Sequence, residues 1–146
     1  MTIELGYDML GSRLRTIGTY EVDYDRLGSR PIRLGPFELS YDMAGSRLRR
    51  VGSYDIGYDK MGSRPKVVGT SDLEYDMMGS RLRRIGAHEI EYDMAGSRVR
   101  KIGPVAIDYD TIGTRPKVVT VDPDSTLDDE LATMVFLVLF AFETDD

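Results

Sequence analysis

Apolar and polar residues alternate strictly over short segments that recur along the chain, as in Tyr20-Glu21-Val22-Asp23-Tyr24 and His88-Glu89-Ile90-Glu91-Tyr92. A period of two puts Tyr, Val and Tyr on one face of a β-strand and the carboxylates on the other. A second kind of segment follows each of these, such as Arg47-Leu48-Arg49-Arg50-Val51, in which the apolar residues Leu48 and Val51 stand three apart. Both can face the same side of a strand only if one residue is extra, so a β-bulge near Gly-Ser-Arg is expected.

Two turn signals separate the segments. One is a Gly-x pair, at Gly18-Thr19, Gly35-Pro36, Gly52-Ser53, Gly69-Thr70, Gly86-Ala87 and Gly103-Pro104, which suits a two-residue type II′ hairpin. The other is Asp-x-x-Gly, as in Asp42-Met43-Ala44-Gly45, where Gly takes the left-handed position of a longer hairpin loop. Two turns and two strands make a unit of 17 residues, repeated seven times up to about Val121. The unit is marked by Tyr7, Tyr24, Tyr41, Tyr58, Tyr75, Tyr92 and Tyr109 without one insertion.

Register follows from the short turn. Closing it pairs Ile17 with Tyr20, and the next pairs outward set Arg33 opposite Glu38, Arg50 opposite Asp55 and Arg84 opposite Glu89. Val67 opposite Asp72 and Lys101 opposite Ala106 carry no such complementarity. Exposed pairs of this kind contribute roughly 0 to 1 kcal/mol each, so they fix register more than they stabilise.

Seven repeats of two strands predict an all-β, up-and-down antiparallel meander of about fourteen short strands, beginning at residues 2–7 and ending at 115–121. An even count makes the first and last strands antiparallel neighbours, so the sheet can close into a barrel and lose both edges. With no edge to share, a monomer is expected. Fourteen strands about 4.7 Å apart and tilted roughly 40° enclose a barrel about 27 Å across, too wide for wall side chains to fill.

The rest of the chain supplies a filler. After a turn at 122–125, a helix is expected over 126–142 as part of the same single domain, followed by an acidic tail at 143–146. Ser125-Thr126-Leu127-Asp128 resembles a capping box, and Asp128, Asp129 and Glu130 suit a helix N-terminus. Leu131 to Phe142 is apolar on every side, so this helix must be surrounded. At 12 residues the apolar stretch is about 18 Å long, short of a membrane span and close to the height of the barrel. Chain direction sends it in at the Gly-x rim and out at the Asp-x-x-Gly-Ser-Arg rim. The competing places for it are the face of an open sheet, a partner molecule into which it swaps, or a membrane in which it docks as a tail anchor.

Charge is segregated along the chain. All 19 Lys and Arg precede Asp122 together with 17 Asp and Glu, while eight acids and no base follow. The overall charge of −6 argues against non-specific nucleic-acid binding, and no specific nucleic-acid partner is expected, although a local ring of arginines could still bind anions. With no cysteine there is no disulfide framework or thiolate chemistry. The opening Met1-Thr-Ile-Glu-Leu-Gly-Tyr enters the first repeat at once, so an unexported, cytoplasmic protein is expected.

Tyr41-Asp42-Met43-Ala44-Gly45-Ser46-Arg47-Leu48 resembles the YD repeat of the Rhs family, whose motif reads Tyr-Asp-x-x-Gly-Arg-Leu. The likeness covers six or seven residues of each unit, with a Ser or Thr standing between Gly and Arg. It implies hairpins in a continuous curved sheet, which in Rhs proteins forms a shell around an enclosed toxin. Carbohydrate binding has also been attributed to such repeats.

Candidates for chemistry are few. His88, the single histidine, occupies a slot that other repeats fill with Tyr20, Phe37, Tyr54, Ser71 and Val105, which reads as packing rather than catalysis. The repeated Asp8, Asp25, Asp42, Asp59, Asp76, Asp93 and Asp110 suit turn capping better than calcium. Ser12, Ser29, Ser46, Ser63, Ser80 and Ser97 are turn residues without a travelling base, and the Met-rich loop tips offer an adaptable contact surface. The most specific candidate site is a rim of Arg13, Arg30, Arg47, Arg64, Arg81, Arg98 and Arg115, able to hold an anion or an acidic partner. Its competing role is to satisfy the neighbouring aspartates and the acidic tail. The sequence therefore points to a non-catalytic structural or protein-interaction module, without cofactor or metal and with an unidentified protein as its possible partner. The alternative is a ligand- or anion-binding barrel.

Overall fold

The structure is a computed structural model and describes residues 1–8, 13–25, 30–41, 47–58, 64–76, 81–93, 98–110 and 115–141. Fourteen strands form one closed antiparallel barrel in which every strand pairs with its neighbours in sequence and β1 pairs with β14. The odd strands are the alternating segments: β1 (Thr2–Tyr7), β3 (Tyr20–Tyr24), β5 (Phe37–Tyr41), β7 (Tyr54–Tyr58), β9 (Ser71–Tyr75), β11 (His88–Tyr92) and β13 (Val105–Tyr109). The even strands are β2 (Leu14–Ile17), β4 (Pro31–Leu34), β6 (Leu48–Val51), β8 (Pro65–Val68), β10 (Leu82–Ile85), β12 (Val99–Ile102) and β14 (Pro116–Val121).

Register is as the turns require. Ile17 opposes Tyr20, Arg33 opposes Glu38, Arg50 opposes Asp55, Arg84 opposes Glu89, Val67 opposes Asp72 and Lys101 opposes Ala106. All six turn glycines have φ between 53° and 60°, a region closed to most side chains. Space excludes a side chain as well, since a Cβ on Gly52 would lie 2.5 Å from the Phe37 ring, which packs on the turn from the preceding repeat.

The bulge lies two residues beyond Gly-Ser-Arg, inside the strand. Tyr41 opposes Leu48 and Ser40 opposes Arg50, leaving Arg49 as the extra residue. The loop must first close by pairing Tyr41 with Leu48, so the surplus is taken up afterwards. Leu48 and Val51 are then both buried while Arg49 and Arg50 stay exposed. The same shift recurs in the other hairpins, for example between Glu91 and Tyr92.

The core helix begins at Asp129, not at 126. Asp128 is its N-cap, accepting the Leu131 backbone N–H on Oδ1 at 2.9 Å, whereas the Ser125 N–H is held by the Asp122 carbonyl in the preceding turn. Helix α1 (Asp129–Phe136) continues as a π-helical segment over Leu137–Ala141, with the Phe136 and Phe140 rings stacked 6.4 Å apart. Leu131 through Leu139 are all buried, and all of them but Ala132 and Thr133 join one cluster with the inward residues of the wall, including Ile17, Leu34, Val51, Val68, Ile85, Ile102 and Val119. The helix fills the barrel, which explains why it needs no polar face. It starts at the Gly-x rim, where the Tyr20 hydroxyl donates to Asp129 Oδ1 at 2.6 Å. The acidic tail at 143–146 lies outside the described residues, as do the methionine tips, the turn serines and the Asp-x-x-Gly glycines. Among the described residues no helix is long and apolar enough to cross a membrane.

Candidate functional site: the arginine rim

The rim arginines precede the even strands, and continuing the Ile17–Tyr20 register by four places puts Arg13 opposite Tyr24. All seven arginines obey this rule, including the pair that spans the first and last strands. The guanidinium carbons of Arg13, Arg30, Arg47, Arg64, Arg81 and Arg98 stand 4.2 to 4.8 Å from the ring centroids of Tyr24, Tyr41, Tyr58, Tyr75, Tyr92 and Tyr109. Arg115 lies 4.1 Å above Tyr7 and completes the circle.

Each tyrosine also reaches beneath its arginine to the backbone. Its hydroxyl donates to the carbonyl of the residue after that arginine: Tyr24 to Leu14 at 2.8 Å, Tyr41 to Pro31 at 2.7 Å, Tyr109 to Val99 at 2.5 Å and Tyr7 to Pro116 at 2.6 Å. Ring and hydroxyl thus clasp each repeat to the one before it. Burial is the main reason the tyrosine hydroxyls ionise late. That of Tyr41 is pushed up to about 12, against a partly compensating pull from Arg30, and those of Tyr7, Tyr24 and Tyr92 shift in the same direction.

Carboxylates hold the same arginines through the Nε–H at the guanidinium edge. Asp8, Asp76, Asp93 and Asp110 accept the Nε–H of Arg13, Arg81, Arg98 and Arg115 at 2.7 to 3.1 Å. In the same hairpins, and at Asp25 with Arg30, the Asp backbone N–H donates to the Arg carbonyl at 2.9 Å, closing the loop. Asp42 and Asp59 fall outside the described residues. The structure therefore gathers all seven candidate arginines at one rim, each layered on a tyrosine. One motif aspartate per arginine leaves this end nearly balanced in charge.

Alternation assigns the tyrosines only to the core face and does not show their part in this rim. The signal is the constant spacing of eleven between each Arg and the next repeat's Tyr. The other candidates stand elsewhere. His88 is half-buried at the Gly-x rim and packs on Gly103. Among the described residues no group of three His, Cys, Asp or Glu is placed to hold a metal. A hollow of about 450 Å³ opens beside the junction of β1 and β14, bounded by Glu4, Asp8 and Asp110 with Arg115 and Lys117. Compared with known proteins, the chain matches no family model, no curated protein and no solved structure.

Proposed function

We propose that the protein is a non-catalytic structural or protein-interaction module, a rigid repeat barrel that presents its outer wall and rims while its own helix occupies the interior. The observation that carries this reading is the use made of the repeated polar residues: each rim arginine is stacked on the next repeat's tyrosine, and four are seen gripped by their own hairpin's aspartate. Groups used this way serve the fold first. The outward strand residues are alternating stripes of acids and bases, with Met1 and Ile32 the exposed large apolar residues among those described, which suits water rather than lipid.

The competing anion-binding role of the rim is separated by one experiment. In the structural reading, Arg81→Gln with Arg98→Gln removes two stacked cations and their ion pairs, and lowers stability by about 1 to 3 kcal/mol in urea titration. Inorganic phosphate then leaves the melting temperature of the parent unchanged. A double variant as stable as the parent, together with a phosphate-dependent rise in the parent's melting temperature that the variant lacks, would instead make the rim a ligand site.

A further inference from the structure

We infer that the junction of β1 with β14 is a self-assembly interface for a second copy of this chain, held closed within one molecule by the core helix. The inference goes beyond the module reading, because it names a partner and the element that controls access to it.

The argument rests on equivalence. At this junction Ile3 opposes Val119 and Glu4 opposes Val118, the same register as Ile85 with His88 and Arg84 with Glu89 inside the chain. Its clasp is the same too: Arg115 over Tyr7 at 4.1 Å, with the Tyr7 hydroxyl on the Pro116 carbonyl at 2.6 Å. What it lacks is a turn. Every other neighbouring pair is joined by a hairpin loop, whereas here Thr120 stands where a seventh turn glycine would fall. The ladder simply runs on, with the Met1 amine donating to the Val121 carbonyl at 3.0 Å and the Val121 N–H to the Met1 carbonyl at 2.8 Å.

Contacts that are identical in kind cannot distinguish a molecule's own β14 from that of another copy. The contact is also heterologous, tyrosine edge to arginine edge, so it can join chains head to tail or exchange them. The advantage of the internal partner is its effective concentration, which depends on the wall being held in a circle. The helix provides that hold, since its buried side chains pack on the inward residues of the whole wall at once. A hollow lined by Glu4 and Lys117 opens at the same junction.

The absence of cysteine in the chain makes the test direct. Thr2 and Thr120 are exposed ladder partners, so their Cα atoms lie within disulfide reach, about 4.5–5.5 Å. One chain carries Thr2→Cys and another Thr120→Cys, each with and without Leu137→Ala to loosen the core helix. The two are mixed, oxidised and run without reductant, with Ser53→Cys replacing Thr2→Cys as the collision control. The expected result is a covalent dimer at least tenfold above that control with Leu137→Ala and little above it with the parent helix. Val135→Ala serves in the same way if Leu137→Ala loses its β-sheet circular dichroism. Folded, loosened chains that cross-link no more than the Ser53 control overturn the interface. Equal cross-linking with and without the helix substitution overturns the helix as its control.

Discussion

At the residue scale the unit of cohesion is a three-part stack in which an aspartate, an arginine and the next repeat's tyrosine lie in contact across two hairpins. Tyr41→Phe keeps the ring under Arg30 and removes only the hydroxyl that serves the Pro31 carbonyl, so it should cost about 1 kcal/mol in the urea midpoint with an unchanged slope. Alkali tests the same hydroxyl in the parent. Its ionisation in the fold is displaced from the ordinary 10 to about 12, mainly by burial. Below pH 10 both states hold the proton, and the stabilisation is complete. Above it the unfolded chain gives up the proton first, so stability falls as pH rises from 10 through 12. Stability measured across that window should decline in the parent and decline less steeply in Tyr41→Phe. These stacks were only half legible. The tyrosines read correctly as inward residues, but alternation says nothing about what lies beside them, and the pairing with arginine emerges only when register is counted out to the rim.

At the element scale the sequence was most explicit where backbone chemistry leaves least choice. The six Gly-x pairs set turn, register and cross-strand partners together, because glycine adopts the positive φ of these turns without the strain most side chains would meet. Gly52→Ala therefore meets two obstacles, φ at 58° and the Phe37 ring 2.5 Å from the new methyl group. A loss above about 1 kcal/mol is expected, and Phe37→Ala in the same chain should recover only the steric share, leaving the backbone share in place. If the double variant regains the stability of Phe37→Ala alone, φ contributes nothing at this turn. The bulge falls near Gly-Ser-Arg as expected, but its exact residue and the helix start are less legible for one reason. Both are decided by competition between neighbouring hydrogen-bond partners. The bulge sits at Arg49 because loop closure claims the Tyr41–Leu48 pair, and the helix starts at Asp129, after Ser125 is engaged in a turn with Asp122. Composition shows who can bond but not who is already taken.

At the scale of the whole molecule, strand count, strand height and the length of one apolar segment are mutually consistent, which is why closure and filling could be inferred from a repeat that contains neither. The partner and the chemistry had no such cross-check, since a perfectly repeated unit marks no position as special. The filled interior makes two opposed predictions about the same helix. Leu137, fully buried, tolerates no charge: Leu137→Asp leaves an unpaired carboxylate inside the wall at a cost of several kcal/mol, a large part of the 5 to 15 kcal/mol typical of a domain. Circular dichroism should then show the barrel unfolded or melting far below the parent. Thr133 presents the reverse case. It is 1% exposed and its hydroxyl has no hydrogen-bond partner among the described residues, so Thr133→Val removes a desolvated polar atom at nearly constant shape. A gain of about 1 kcal/mol in the urea midpoint is expected. A helix lying on an exposed sheet face would blunt both effects, because water would reach the aspartate and already satisfy the threonine. Only a helix enclosed on all sides requires the two substitutions to move stability strongly and in opposite directions.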